Sequence, residues 1–246
     1  MLGDMAEARR RIARVVGVVA VLLLGAALVG AVFVKTGAET SAAVRDSERY
    51  DPPQVSTPPP PPLPLVAVIG DDTTAVSAPG VTAAQRWPEL LGSREDVEVR
   101  TFASAGAGYL TKGSDGRSFL EQARRIPKDT DVVIVFGGIA DVDASQSGLS
   151  RAIARTISTA QSRAPDSEIA VVGPVSSADS SSQAATDLRL VLQNQVGQFG
   201  QQFIDPVQRA WLSGVYESGR DLGREEESAI ADQMVVVTSK LLPQQN

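Results

Sequence analysis

The chain has 246 residues, of which 43% are hydrophobic and 21% charged, and its formal net charge is −6. This length and composition suit one globular domain with additional segments, and the acidic balance argues against nucleic-acid binding, which requires a basic patch. The chain contains no cysteine and no histidine. Their absence excludes disulfide bonds, thiolate metal sites, cysteine nucleophiles and every reaction that uses a histidine base.

An uncharged apolar stretch, VVGVVAVLLLGAALVGAVFV, occupies residues 15–34. A helix of this length spans about 30 Å, the thickness of the hydrocarbon layer. Arginines 9, 10, 11 and 14 precede the stretch, and only Lys35 follows it closely. The positive-inside rule predicts a cytoplasmic basic tail at 1–14, a single transmembrane helix at 15–34 and an extracytoplasmic remainder. A cleaved signal peptide is the alternative, although its apolar region is usually about 7–15 residues.

Residues 35–64 form a polar segment that becomes rich in proline, with prolines throughout 58–62 and again at Pro64. Such a run adopts polyproline II, which rises about 3.1 Å per residue. We predict a semi-rigid linker between the membrane and the domain of residues 65–246. A docking motif for a proline-binding module is the alternative.

Short apolar runs alternate with helical patterns after the linker. Strands are predicted at 65–70, 97–103, 131–138, 168–174 and 202–205. Helices are predicted at 83–91, 117–126, 149–163, 182–199 and 225–242. This alternation is typical of an α/β domain with a doubly wound parallel sheet and helices on both faces, a three-layer architecture. With a flavodoxin-like strand order, ligands bind where the first and third strands end, in the loops GDDTT (70–74) and GGIADVD (137–143).

Four segments resemble, in order, the sequence blocks of the SGNH (GDSL-like) hydrolase family. They are VAVIGDDTTA, FASAGAGYL, VVIVFGGIADVD and DLGREEESAIADQM. The resemblance covers the whole domain and implies the flavodoxin-like SGNH hydrolase fold. In that family the first block supplies a serine nucleophile, the second a glycine and the third an asparagine, which together build the oxyanion hole. The last block, Asp-x-x-His, supplies the base and the residue that orients it.

The chain departs from this pattern at the reactive positions. Asp72 replaces the serine, Ala140 the asparagine and Arg224 the histidine, whereas Asp221 is retained. A hydroxyl nucleophile needs an adjacent base, and a guanidinium stays protonated throughout the physiological range. Losing a member of a catalytic triad costs about 10⁴–10⁶ in rate. We therefore expect a catalytically inactive pseudoenzyme, in which Asp72 and Arg224 form an ion pair that Asp221 shares.

The backbone donors of the oxyanion hole remain in the second block, at Gly106 or Gly108. Candidate binding residues are Asp71, Asp141, Asp143 and Tyr109, and Trp87 and Trp211 would either line a sugar cleft or pack in the core. The composition resembles actinobacterial membrane-anchored envelope proteins. We expect no cofactor and no metal, and a partner that is an envelope glycan, a lipid or another membrane protein.

Two enzymatic alternatives remain open at the sequence level. Carboxylates from the two switch-point loops would suit Mg²⁺ or Ca²⁺ in a metal-dependent phosphohydrolase; they are Asp71, Asp72, Asp141 and Asp143. An envelope esterase or acyltransferase with a non-standard site would instead use Lys112 as a base. Its nucleophile would be one of the nearby hydroxyls, Thr73, Thr74 or Ser77.

Overall fold

Five parallel strands form the centre of the domain. The computed structural model describes residues 61–175, 182–212 and 221–243. The predicted tail, membrane helix and most of the linker, residues 1–60, lie outside the described residues. Among the described residues, none of the helices has the length and apolar character needed to cross a membrane.

The strands lie at the predicted places. They are β1 Leu65–Gly70, β2 Glu98–Ala103, β3 Val132–Phe136, β4 Glu168–Val172 and β5 Gln202–Ile204. Their order is β2-β1-β3-β4-β5, and every neighbouring pair is parallel. This is the predicted flavodoxin-like order, in which the chain reverses direction across the sheet between β1 and β3. The carboxyl ends of these two strands therefore define the place where a ligand site is expected.

The described helices differ from the predictions mainly at their boundaries. They are α1 Asp72–Ala75, α2 Trp87–Glu95, α3 Phe119–Ala123, α4 Gln146–Arg163, α5 Gln183–Gln198 and α6 Arg224–Thr238. Two 3-10 turns add Ala83–Gln85 and Ile139–Asp141. The helix predicted from 83 begins instead at Trp87, because Pro88 in its first turn is tolerated only at a helix start. The short helix α1 and the 3-10 turns carry too few residues for a periodic pattern.

Side chains alternate between two cores along each strand. On β3, Val133 and Val135 pack with α3, α4 and α5, whereas Ile134 and Phe136 pack with α2 and α6. Apolar residues that alternate in this way while both faces are covered define the predicted three-layer architecture. The central strands β1, β3 and β4 are thereby buried on both sides, whereas β2 at the edge of the sheet is partly exposed.

Candidate active site

The carboxylate of Asp71 joins the loops that follow β1 and β3. Asp71 is 1% exposed, and it accepts the N–H of Thr73 at 3.0 Å and the N–H of Gly138 at 2.7 Å. A Cβ at Gly137, where φ is +106°, would overlap this carboxylate. Burial raises the pKa of Asp71 to about 6, although both N–H donors oppose the rise. The structure therefore gives Asp71 a role in fixing the geometry of the site rather than in contacting a ligand.

Asp72, at the position of the family's serine, is exposed and begins α1. Its Oδ2 accepts the N–H of Gly106 at 2.9 Å. Gly106 has a φ of +73°, a conformation that glycine adopts without strain. Gly108, the other candidate for the oxyanion hole, is buried and donates its N–H to the carbonyl of Thr111 at 2.9 Å. Of the two glycines, Gly106 is therefore the one whose N–H is not used within its own loop. That N–H donates to the carboxylate of Asp72.

The carboxylate of Asp141 holds the loop of the second block against the loop of the third. Asp141 is 2% exposed and accepts the backbone N–H groups of Leu110 at 3.1 Å and Thr111 at 2.9 Å, with the Thr111 hydroxyl at 2.7 Å. A Cβ at Gly108 would overlap this carboxylate. Asp141 is therefore engaged inside the protein, like Asp71, and neither carboxylate is open to a ligand.

The expected ion pair between Asp72 and Arg224 does not form, and this prediction is wrong. Arg224 is exposed and donates from Nη2 to the carbonyl of Gly80 at 3.1 Å. The reason lies in the packing before α6, where the N–H of Ala78 donates to the carbonyl of Leu222 at 2.9 Å. This contact brings the 78–80 segment to Arg224, while α1 holds Asp72 beside Gly106. Asp221 is likewise exposed and makes no ion pair with Arg224.

Ala140 follows Ile139 in the 3-10 turn after β3 and is exposed. Its methyl group cannot donate a hydrogen bond, so this position supplies nothing to a developing oxyanion. The positions of the family's serine, asparagine and histidine are therefore all exposed in the described structure.

Glu227 is a buried residue that sequence reasoning missed. It is 1% exposed and accepts the N–H of Trp87 at 2.7 Å and the hydroxyl of Ser77. Desolvation raises its pKa. The carboxylate therefore caps the start of α2 and joins it to α6 and to the segment after α1. The sequence contained one indication of this burial. Glu227 has helical spacing with Ile230 and Met234, which places it on the buried face of α6.

Gln122 is a second buried polar residue without a predicted role. Its Oε1 accepts the N–H of Gly70 at 3.1 Å, and its Nε2 donates to the Gly70 carbonyl at 3.2 Å. The Gly70 carbonyl also accepts the N–H of Ser104 at 3.1 Å, so the Gln122 side chain adds to the backbone bonds where β1 ends. Trp87 adds support from the other face by donating Nε1 to the carbonyl of Thr73 at 3.1 Å. The turn between Gly70 and Thr73 is thus held on both sides.

The aromatic candidates are packed inside the domain. Tyr109 is 2% exposed, and its ring lies edge-on to Phe119 with centroids 4.9 Å apart. Trp87 and Trp211 flank Phe136 at centroid distances of 5.3 Å and 6.3 Å. Their burial argues against a role of these rings in stacking on a ligand, including the binding role expected of Tyr109. Asp143 remains exposed and lines a groove of about 410 Å³ between α4 and α5.

The described geometry gives little support to the two enzymatic alternatives. Within 61–175, 182–212 and 221–243, no three carboxylates are grouped so that they could hold a metal ion. Lys112 is exposed, and the pKa of Glu121 is lowered by hydrogen bonds from Ser118 and, to a smaller extent, by the charge of Lys112. No hydrogen bond joins Lys112 to the hydroxyls of Thr73, Thr74 or Ser77, and Thr74 Oγ1 is buried without a partner.

The sheet order and the helices on both of its faces define a flavodoxin-like α/β domain, and comparisons with known proteins find similar proteins among GDSL-type lipases and esterases. No protein-family profile matches the chain. A protein named GDSL lipase from Mycobacterium tuberculosis is 28% identical over 156 residues, which cover 60% of this chain and 68% of the relative.

Solved structures support the same fold. An aryl esterase from M. smegmatis superposes with a TM-score of 0.57 at 15% identity, covering 73% of this chain and 100% of the esterase. A carbohydrate acetylesterase from Sinorhizobium meliloti has a TM-score of 0.57 at 14% identity, with the same two coverages of 73% and 100%. At these identities the likeness concerns the fold and leaves the chemistry to be argued from the site.

Proposed function

We propose that this SGNH-hydrolase-like domain is a pseudoenzyme that binds a ligand or partner without hydrolysing it. The observation that carries the proposal is the hydrogen bond from the Gly106 N–H to the Asp72 carboxylate, at 2.9 Å. In an acyl-transfer site this type of donor must be free for the oxygen that becomes negative in the transition state. Here a fixed negative charge occupies it.

The remaining reactive positions support the same conclusion. A negative oxyanion beside the Asp72 carboxylate would be repelled rather than stabilised. Ala140 has no donor to compensate, and Arg224 cannot accept a proton from a nucleophile. Each loss alone is expected to reduce turnover by orders of magnitude. Since Asp71 and Asp141 hold the loops together, the loops of the cleft keep their arrangement although the groups that would perform hydrolysis are absent.

The N-terminal sequence supports a proposal for where the protein is located. We propose that residues 15–34 anchor the protein in the cell membrane and that the domain lies outside the cytoplasm on its proline-rich linker. The relatives are named as a lipase, an aryl esterase and a carbohydrate acetylesterase. By analogy, the ligand is an envelope glycan, a lipid or a membrane protein that carries such a group, and the groove beside Asp143 is open to it.

The test measures hydrolysis of p-nitrophenyl acetate by the full-length protein. We expect the native protein to show no turnover above buffer. A triple variant, Asp72→Ser, Ala140→Asn and Arg224→His, should exceed the native protein at least about tenfold, because it restores a nucleophile, an oxyanion donor and a base. The single variant Ala140→Asn is the control and should stay inactive. Saturable turnover by the native protein would overturn the proposal.

One contact favours the alternative of a working hydrolase with a non-standard site. The hydroxyl of Ser77 donates to Glu227, a carboxylate whose pKa is raised by burial. A hydroxyl paired with such a carboxylate has the ingredients of a nucleophile and a base. If the native protein hydrolyses esters, Ser77→Ala should abolish the activity, whereas Ser93→Ala on the surface of α2 should leave it unchanged.

A further inference from the structure

A basic groove runs between α3 and α4 on the surface of the domain. It encloses about 380 Å³, and no aspartate or glutamate lines it. Its principal lining residues are Leu120, Arg124, Arg155, Ser158, Ser162 and Arg163. Acidic residues outnumber basic ones in the chain, 29 to 23. A groove with three arginines and no carboxylate is therefore a local reversal of the overall charge.

Two of these guanidinium groups have no partner within the part of the chain that the structure describes. Arg163 donates from Nε and Nη2 to the carbonyl of Ile126 at 3.2 Å and 3.0 Å, which fixes its position at the groove. Arg124 and Arg155 are exposed, and neither side chain makes a hydrogen bond or ion pair with any residue in the described ranges. Their positive charges are therefore available to a ligand.

Some other arginines of the described domain are paired with carboxylates. Arg94 pairs with Asp232 at 2.8 Å, and Arg100 pairs with Glu98 at 2.7 Å. The acid nearest in sequence to the groove, Glu121 on α3, is instead bonded to Ser118, whose backbone N–H lies 2.8 Å away. No carboxylate of the described residues compensates Arg124 or Arg155 as Asp232 and Glu98 compensate Arg94 and Arg100.

The helix ends at the groove do not cancel its charge. Both α3 and α4 end near the groove, and a helix C-terminus carries at most about −0.5 of an elementary charge. Two such ends offset about one of the three guanidinium charges. A net charge of about +2 remains along this open surface groove, where it attracts anions.

We propose that this groove binds the phosphate group of a small, hydroxyl-rich molecule such as a sugar phosphate. A guanidinium presents a rigid fork of donors that matches phosphate oxygens two at a time. Hydroxyls of Ser158 and Ser162 on the exposed side of α4 are placed to meet the polar remainder of the ligand. The volume falls within the range of about 300–1,000 Å³ that small-molecule sites occupy. Leu120 is the one large apolar residue of the lining and is half-buried, so the groove has no surface for insertion into a bilayer.

The experiment is a titration of the full-length protein in zwitterionic micelles, followed by amide chemical shifts. The probes are inorganic phosphate and glucose 1-phosphate. We expect saturable shifts confined to residues 119–126 and 154–163, with glucose 1-phosphate binding the more tightly. Arg124→Ala and Arg155→Ala should each weaken binding about tenfold, the effect of one lost charge-assisted contact. Arg155→Lys should weaken it less, because it keeps the charge and loses the fork.

Controls separate the groove from general electrostatics. Arg94→Ala and Arg100→Ala remove the same charge from arginines that already have carboxylate partners, and both variants should keep native affinity. Unchanged affinity in the Arg124→Ala, Arg155→Ala double variant would overturn the proposal. Binding to phosphatidylglycerol vesicles without saturable binding of either phosphate probe would overturn it too. The groove contains no residue of the Asp72 site, so failure of this experiment leaves the pseudoenzyme proposal untouched.

Discussion

The buried and the exposed residues of the candidate site differ in what they contact. Asp71 and Asp141 are at most 2% exposed, and their oxygens accept N–H or O–H donors of neighbouring loops. Asp72, Ala140 and Arg224 depart from the family and are exposed. The internal carboxylates position loops, whereas the exposed positions would have performed the chemistry.

The difference reflects what each position contributes to stability. Removing an internal carboxylate leaves its buried or part-buried donors without that partner, which destabilises the fold whether or not the protein is an enzyme. Changing an exposed residue costs little folding free energy, so nothing opposes its replacement once catalysis is not required. If this account is correct, substitutions at the two sets of positions should differ strongly in their effect on stability.

The largest effect is expected for Asp141→Ala. This change removes three hydrogen bonds and leaves the N–H groups of Leu110 and Thr111 without an acceptor. We expect the free energy of unfolding to fall by about 4 kcal/mol. Urea denaturation followed by tryptophan fluorescence measures it, since Trp87 and Trp211 are buried. Asp143→Ala, an exposed aspartate of the same loop, is the matched control and should change stability by less than about 0.5 kcal/mol.

A pH dependence of similar size is expected from Asp71. Its pKa is about 6 in the folded protein against an ordinary value of 3.8. Between these two pH values the unfolded chain has released the proton that the folded state still holds, so stability falls as the pH rises. The full shift corresponds to about 3 kcal/mol. Relative to Asp71→Asn, the native protein should lose about this much unfolding free energy between pH 4 and pH 7. A constant difference across that range would show that Asp71 is not buried as a raised-pKa carboxyl.

A smaller loss of stability is expected for Glu227→Ala. The change leaves the buried N–H of Trp87 and the hydroxyl of Ser77 without their acceptor. We expect the free energy of unfolding to fall by about 2 kcal/mol. Glu225→Ala, an exposed neighbour in the same helical turn, serves as the control and should be close to neutral. Equal effects of the two substitutions would contradict the capping role of Glu227.

The smallest effect is expected for Asp72→Ala. The carboxylate is exposed and makes one hydrogen bond to Gly106, and its charge contributes to raising the pKa of Asp71. Loss of the bond and relief of the repulsion oppose each other, so the change in unfolding free energy should stay below about 1 kcal/mol. If the free energy of unfolding fell nearly as much as in Asp141→Ala, the exposed positions would not differ in stability from the buried carboxylates that position the loops.

The fold could be predicted from the sequence because the same pattern recurs along the whole domain. Five apolar runs alternating with helical segments leave few arrangements of a parallel sheet. The strands end within a few residues of their predicted ends, and the strand order is the predicted one. Boundaries shifted where local chemistry intervened, as at Pro88, which sets the start of α2.

The contacts within the site were harder to predict, because the distances between loops in the folded protein do not follow from the spacing of residues in the sequence. The two glycines of the second block were equivalent in sequence, and only the structure separates Gly106 from Gly108. Complementary charge made an ion pair between Asp72 and Arg224 attractive, yet each side chain has a nearer backbone partner. Charge complementarity thus predicted an ion pair, whereas each side chain instead bonds to a backbone group.

The most direct test of the account is covalent labelling with a fluorophosphonate, followed by intact-mass and peptide mass spectrometry. The reagent phosphonylates a hydroxyl nucleophile that is activated by a base beside an oxyanion hole. The account predicts no adduct on the native full-length protein. It predicts one adduct at residue 72 in the variant with Asp72→Ser, Ala140→Asn and Arg224→His. An adduct on the native protein would contradict the pseudoenzyme reading, and the labelled peptide would identify the residue that acts as nucleophile.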